Sequence, residues 1–106
     1  LVNRETAMDK AAALAVIKRL EELTRQFGGP YTDYHLEFKQ LIFKLNGCRI
    51  QDPYFREQLS KLQQYADTGF STRKFEKVTG GVSQLRVWAL GALQTAADLI
   101  DQQMQN

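Results

Sequence analysis

The chain has 106 residues and a mass of 12.1 kDa, a size that predicts one domain with its own hydrophobic core. Its apolar fraction of 43% and charged fraction of 25% are typical of globular proteins and exclude a disordered, collagen-like or disulfide-scaffold chain. The net charge of +2 is too small to indicate a nucleic-acid-binding protein by itself.

Glycine and proline residues divide the chain into five segments whose apolar residues recur mainly at helical spacing. This pattern predicts long helices at 4–27, 32–46, 53–68 and 82–104, and a short helix at 71–79. No segment shows a sustained two-residue alternation of a half-buried strand. We therefore predict an all-α fold, a compact bundle of four long helices plus one short helix, in a single domain over residues 1–106. The first residue is Leu rather than Met, which allows this domain to be a fragment of a longer chain.

Several helix ends have local sequence signals. Asp52 before Pro53 is an N-cap followed by a first-turn proline, and Ser71 can cap the short helix. Gly28 and Gly47 are predicted to take the left-handed conformation that stops a helix.

The last predicted helix carries the longest apolar surface of the chain, a stripe about 140° wide at 100° per residue. Trp88 lies within this stripe, so we predict that it is largely buried and contacts at least two other helices. The members of the stripe are Val82, Leu85, Trp88, Ala89, Ala92, Leu93, Ala96, Leu99 and Ile100.

Two helices also carry apolar residues on the side opposite their main face. Leu36 and Phe43 lie together on the second side of 32–46, and Val87 and Leu90 on that of 82–104. Such residues indicate either neighbouring helices on both sides or an exposed surface that binds a partner. A small bundle cannot easily surround two helices completely, so we expect at least one pair to remain accessible.

The surplus of positive charge lies in one stretch, residues 69–90, which contains four basic residues and one acidic residue. Basic side chains and hydroxyls at the start of the short helix could converge on a phosphate, or they could form an ordinary solvated face. The predicted anion-binding residues are Ser71, Arg73, Lys74, Lys77 and Arg86. We expect Arg73, Lys74 and Lys77 to be exposed and without close acidic partners.

Signals of catalysis or metal binding are poor. The sequence holds one histidine, His35, and one cysteine, Cys48, which cannot form a His-rich or thiol-rich metal site or an internal disulfide. No phosphate loop, nucleophile elbow, zinc-protease pair or calcium loop is present. We therefore predict no catalytic residues, no metal, no cofactor and no enzymatic activity. The lone cysteine is typical of a core residue and favours a cytoplasmic protein.

These observations lead to two hypotheses. The favoured one is a non-enzymatic protein–protein interaction module or small assembly subunit, which binds a protein partner or a second copy through Leu36, Phe43, Val87 and Leu90. The alternative is a small helical subunit that binds nucleic acid or another polyanion through the basic segment 73–86. No apolar stretch reaches the roughly 18 residues of a membrane span, so we expect no membrane partner.

Overall fold

A computed structural model describes residues 8–105 of the chain. It contains four α-helices, α1 (Lys10–Thr24), α2 (Thr32–Asn46), α3 (Pro53–Gly69) and α4 (Gly81–Gln103). A 3-10 helix at Lys74–Lys77 precedes α4, and residues 8–105 contain no β-strand. The predicted all-α bundle of four long helices and one short helical element is therefore confirmed.

Two of the predicted helices are too long. Of the predicted start of the first helix, residues 4–7 lie outside the described residues, and residues 8 and 9 are not helical. The carboxylate of Asp9 instead caps α1 by accepting the Ala12 N–H at 2.8 Å. The predicted helix 71–79 is reduced to one 3-10 turn, because the backbone is extended at Val78 and left-handed at Gly80.

The helix ends follow local chemistry in most places. Asp52 accepts the Tyr54 N–H at 3.0 Å, and the Ser71 hydroxyl accepts the Lys74 N–H at 2.9 Å, as the sequence predicts. Gly28 has a φ of +124°, whereas Gly47 has a φ of −84°, so the predicted left-handed stop at Gly47 is wrong. There the last turn of α2 tightens instead, and the Gly47 N–H donates to the Lys44 carbonyl at 3.0 Å.

The helices form a bundle in which each one packs against two others. Helix α1 packs against α2 and α4, and α3 packs against the same two helices from the other side. Helices α2 and α4 therefore occupy opposite corners of the bundle, and their outer sides point away from each other. The largest fully buried side chains of the core are Leu20, Leu23, Phe27, Phe38, Leu45, Phe55, Leu59, Leu62, Leu93 and Ile100.

One end of the core is an aromatic cluster built from distant parts of the chain. The Phe27 and Phe70 rings meet edge to face with centroids 5.0 Å apart, and Phe38 lies 6.2–6.3 Å from both. Gly69 lies directly against the Phe27 ring, and its carbonyl accepts the Gly28 N–H at 2.8 Å. The turn after α1 is thus held closely against the end of α3.

Trp88 does not lie in the core, so its predicted burial is wrong. The side chain is 43% exposed, and its ring lies 6.2 Å from the ring of Tyr65 on α3. The buried part of the α4 stripe is narrower than predicted and consists of Leu85, Ala89, Ala92, Leu93, Ala96 and Ile100. Trp88 lies on the edge of this stripe, where its helical position turns it towards α3 and away from the bundle axis.

This position changes the expected effect of mutating Trp88. Trp88→Ala should lower the free energy of unfolding by no more than about 2 kcal/mol, since much of the ring is already in water. Leu93 lies five residues later in the same helix and is fully buried. Leu93→Ala should therefore lower the free energy of unfolding by roughly 2–5 kcal/mol. Chemical denaturation followed by circular dichroism would compare them, and a larger loss for Trp88→Ala would contradict this assignment.

Candidate functional site

The outer side of α2 exposes two large apolar side chains. Leu36 is 54% exposed and Phe43 is 79% exposed. They are seven residues apart, which places them on the same side of the helix about 10 Å from each other. The prediction that at least one apolar pair remains accessible is confirmed by this pair.

The second predicted pair is divided between surface and core. Val87 is 60% exposed, but Leu90 is half-buried and packs against the core. Because α4 is diagonally opposite α2 in the bundle, Val87 cannot extend the surface formed by Leu36 and Phe43. The four predicted partner-binding residues therefore do not form one continuous surface.

Phe43 stands at the edge of a groove between α2 and α3, which we call the α2–α3 groove. The groove has a volume of about 490 Å³ and is open to solvent along its length. Its apolar lining consists of the exposed Phe43 and of Ile42 and Leu59, which are only 5% and 1% exposed and form the floor of the groove. The complete lining is Lys39, Ile42, Phe43, Asn46, Arg56, Leu59, Ser60 and Gln63.

The α2–α3 groove carries two positive charges and no carboxylate. Neither Lys39 nor Arg56 has an acidic partner within 4.0 Å among residues 8–105. One Arg56 N–H donates to the Cys48 carbonyl at 3.0 Å, and the guanidinium lies 5.6 Å from the centre of the Phe55 ring. This bond fixes Arg56 at the groove while its remaining donors stay available.

Two carboxylates of α3 that do not line the groove form contacts of their own. Asp67 bonds to His35 Nε2 at 2.7 Å and accepts an N–H of Gln63 at 2.8 Å. The carboxylate of Glu57 lies 3.9 Å from the Lys61 ammonium. Both charged side chains that line the α2–α3 groove itself, Lys39 and Arg56, are positive.

The predicted basic segment is only partly as expected. Lys74 and Lys77 are exposed, and neither forms an ion pair with another described residue. Arg73 is also exposed but pairs with Glu76, with Nε and Oε2 3.3 Å apart, so the prediction that it lacks an acidic partner is wrong. The Ser71 hydroxyl is occupied, since it donates to the Thr68 carbonyl at 2.6 Å and accepts the Lys74 N–H.

Arg86 is turned towards the fold and does not extend the basic segment. Its guanidinium donates to the Phe27 carbonyl at 2.6 Å, which ties α4 to the turn after α1. The Nε atom is fully buried. These contacts give Arg86 a structural role and leave Arg73, Lys74 and Lys77 as the exposed cations of this segment.

Sequence reasoning missed an aromatic pair on the opposite side of α3 from the α2–α3 groove. The rings of Tyr65 and Trp88 lie 6.2 Å apart with their planes inclined by 30°, and Trp88 is exposed. Both helices that carry this pair also contact the 3-10 helix of the basic segment. Phe55, Leu59, Leu62 and Ala66 form one apolar stripe along α3, and Tyr65 lies at its edge. This edge position was the signal that could have indicated the pair.

In the part of the chain that the structure describes, the side chains that could bind a metal or act as a nucleophile do not form a site. No group of three or more His, Cys, Asp or Glu side chains is placed to hold a metal ion between residues 8 and 105. Cys48 is buried, and burial raises the pKa of its thiol, against a smaller opposing effect of Arg56. A buried thiol with a raised pKa is a poor nucleophile.

Comparisons with protein-family models, with curated proteins and with solved structures found no match. Within residues 8–105, none of the helices combines the length and the apolar character needed to cross a bilayer. Two surfaces are therefore the candidate sites, the outer side of α2 with its groove and the basic segment with its neighbouring aromatic pair.

Proposed function

We propose that this domain is a non-enzymatic protein-interaction module or small assembly subunit whose partner covers the outer side of α2. The observation that carries the proposal is the exposure of Phe43, 79% of whose surface is in water. Burying Leu36 and Phe43 against a partner would contribute roughly 3–6 kcal/mol before the costs of association.

The arrangement of the two side chains favours a binding surface over chance exposure. Single apolar residues are common on protein surfaces, but Leu36 and Phe43 share one side of one helix. Phe43 also adjoins a groove with further apolar lining. Aromatic side chains, phenylalanine included, are enriched at the cores of protein interfaces.

Site-specific photo-crosslinking tests the proposal even though the partner is unidentified. A photoreactive phenylalanine analogue at position 43 should give one dominant adduct with a protein in cells that produce the chain. The same analogue at Ala15, an exposed residue of α1, is the control. If position 43 gives no protein adduct above this control, the proposal is wrong.

The Leu36→Ser, Phe43→Ser double variant should keep its free energy of unfolding within about 1 kcal/mol of wild type, because both residues are exposed. Its affinity for the crosslinked protein should fall about tenfold or more. Val87→Ser is a matched control that removes an exposed apolar residue from the opposite corner. Equal losses of affinity in the two variants would show that the outer side of α2 is not the binding surface.

A second candidate function is binding of single-stranded nucleic acid or another polyanion. It is supported by the exposed cations Arg73, Lys74 and Lys77 together with the Tyr65–Trp88 pair, which the sequence did not predict. Stacking of a base on an aromatic ring contributes about 1–3 kcal/mol and complements phosphate contacts.

Fluorescence anisotropy with labelled single-stranded RNA and DNA tests this second function. We expect binding at about 50 mM salt that weakens steeply by about 200 mM, because phosphate contacts release counterions. Lys74→Glu, Lys77→Glu should abolish it, and Lys18→Glu, Lys44→Glu, which makes the same charge change at exposed residues elsewhere, should retain most of it. No binding at the lower salt concentration would eliminate this function.

A further inference from the structure

Resting on the proposed function, we infer that the α2–α3 groove binds an acidic amphipathic helix of a partner protein. The occupant places apolar side chains against Phe43, over the floor formed by the buried residues Ile42 and Leu59, and carboxylates beside Lys39 and Arg56. The groove therefore selects partners by their charge and by their apolar side.

The dimensions of the groove suit two turns of a helix. Its lining extends from Lys39 to Asn46 on α2 and from Arg56 to Gln63 on α3, which is about 10 Å along each wall. Apolar residues at spacings of three and four in the occupant would present one continuous side over this length. Leu36 lies one turn before Lys39 and would contact the next turn of the occupant.

The charges of the groove determine the sign of the occupant. The lining contains two cations, three uncharged polar residues and no carboxylate. Because Arg56 donates to the Cys48 carbonyl in the connection between α2 and α3, part of the ordering of its guanidinium is already complete before binding. A carboxylate near these cations is stabilised, whereas a basic side chain is repelled.

The backbone of the groove favours a helix over an extended peptide. Both walls are α-helices whose mid-helix N–H and C=O groups bond within the helix, so the groove offers only side chains. An extended segment would leave its own backbone groups unpaired against these walls, but a helix satisfies them internally.

Peptide display provides the test. The probe is a library of peptides of about 16 residues, or four helical turns, with apolar residues at positions i, i+3, i+4 and i+7. One half of the library carries Asp and Glu at the remaining positions, and the other half carries Lys and Arg at the same positions. Selection against the wild-type chain should enrich the acidic half.

The enriched peptides should lose affinity about tenfold or more on Lys39→Glu, Arg56→Glu. Lys18→Glu, Arg25→Glu is the matched control, because it makes the same charge change at exposed residues outside the groove. Lys39→Glu alone repeats the test without the loss of the Arg56 hydrogen bond, so a weakened fold cannot account for its result.

Enrichment of the basic half, an equal loss in the control variant, or no enrichment would each overturn the inference. Selected basic peptides that lose binding on Phe43→Ser would overturn it while leaving the proposed function intact. Absence of a crosslinked protein at position 43 would instead overturn the proposed function itself.

Discussion

Replacing Phe38 with Ala should lower the free energy of unfolding by roughly 3–5 kcal/mol, a large part of the stability of a domain of this size. Phe38 is completely buried, and its ring packs against those of both Phe27 and Phe70. Removing the ring leaves a cavity bounded by two other aromatic side chains that are themselves fixed by contacts with each other. The cavity can therefore collapse only in part.

Phe43 provides a control for this substitution within the same helix. Phe43→Ala removes the same atoms five residues later, where 79% of the side chain is in water, so its effect should stay below about 1 kcal/mol. Denaturant unfolding followed by circular dichroism would measure both variants. Similar losses of stability would contradict the assignment of Phe38 to the core and of Phe43 to the surface.

Gly69→Ala should destabilise the fold by about 1–3 kcal/mol or more, although Gly to Ala in a helix is ordinarily favourable. An added Cβ at Gly69 would overlap the ring of Phe27 and lie 2.7 Å from both of its Cδ atoms. Phe27 cannot move away easily, because its ring packs edge to face on Phe70 and is almost completely buried. The turn after α1 would have to separate from the end of α3.

Gly91 is the matched control for Gly69. It lies in the middle of α4, and no atom comes within 4 Å of a Cβ added there. Gly91→Ala should therefore raise the free energy of unfolding by up to about 1 kcal/mol, opposite in sign to the effect at Gly69. Thermal or chemical unfolding of both variants gives the signs directly. A stabilising Gly69→Ala would show that the approach of Phe27 is looser than described.

The sequence predicts a helix boundary well where the capping residue bonds to a backbone group only two or three positions away. Asp52 and Ser71 each bond to a backbone N–H two or three residues later, so the signal and its structural result lie in the same short stretch. The left-handed stop at Gly47 failed because two ways of ending a helix suit the same glycine. Which of the two endings forms depends on the path of the chain after Gly47. That path is set by the burial of Cys48 and Ile50 in the core.

The aromatic cluster could not be predicted from local patterns. Phe27 falls at the end of one predicted helix, and Phe70 falls between two predicted elements. Their contact brings together residues more than forty positions apart, which no periodicity within a segment can show. The hydrogen bond between His35 and Asp67 could not be predicted either, since it joins two helices through residues 32 positions apart.

The candidate site was predictable in part. The helical register alone places Leu36 and Phe43 on the second side of α2, whatever the positions of the neighbouring helices. The groove also needs Arg56 and Ser60 of α3 beside Lys39 and Asn46 of α2, which only the packing of the two helices provides. Trp88 was misassigned for the same reason, because the width of a buried stripe depends on what covers it.

The exposure of Trp88 gives the protein an internal fluorescent reporter. It is the single tryptophan of the chain, and its ring lies beside Tyr65, which faces away from the α2–α3 groove. A base that stacks on this pair would quench or shift the tryptophan emission, whereas a helix that fills the groove on the other flank of α3 would leave it nearly unchanged. The emission spectrum of the unlabelled protein therefore distinguishes the two modes of binding in a single titration.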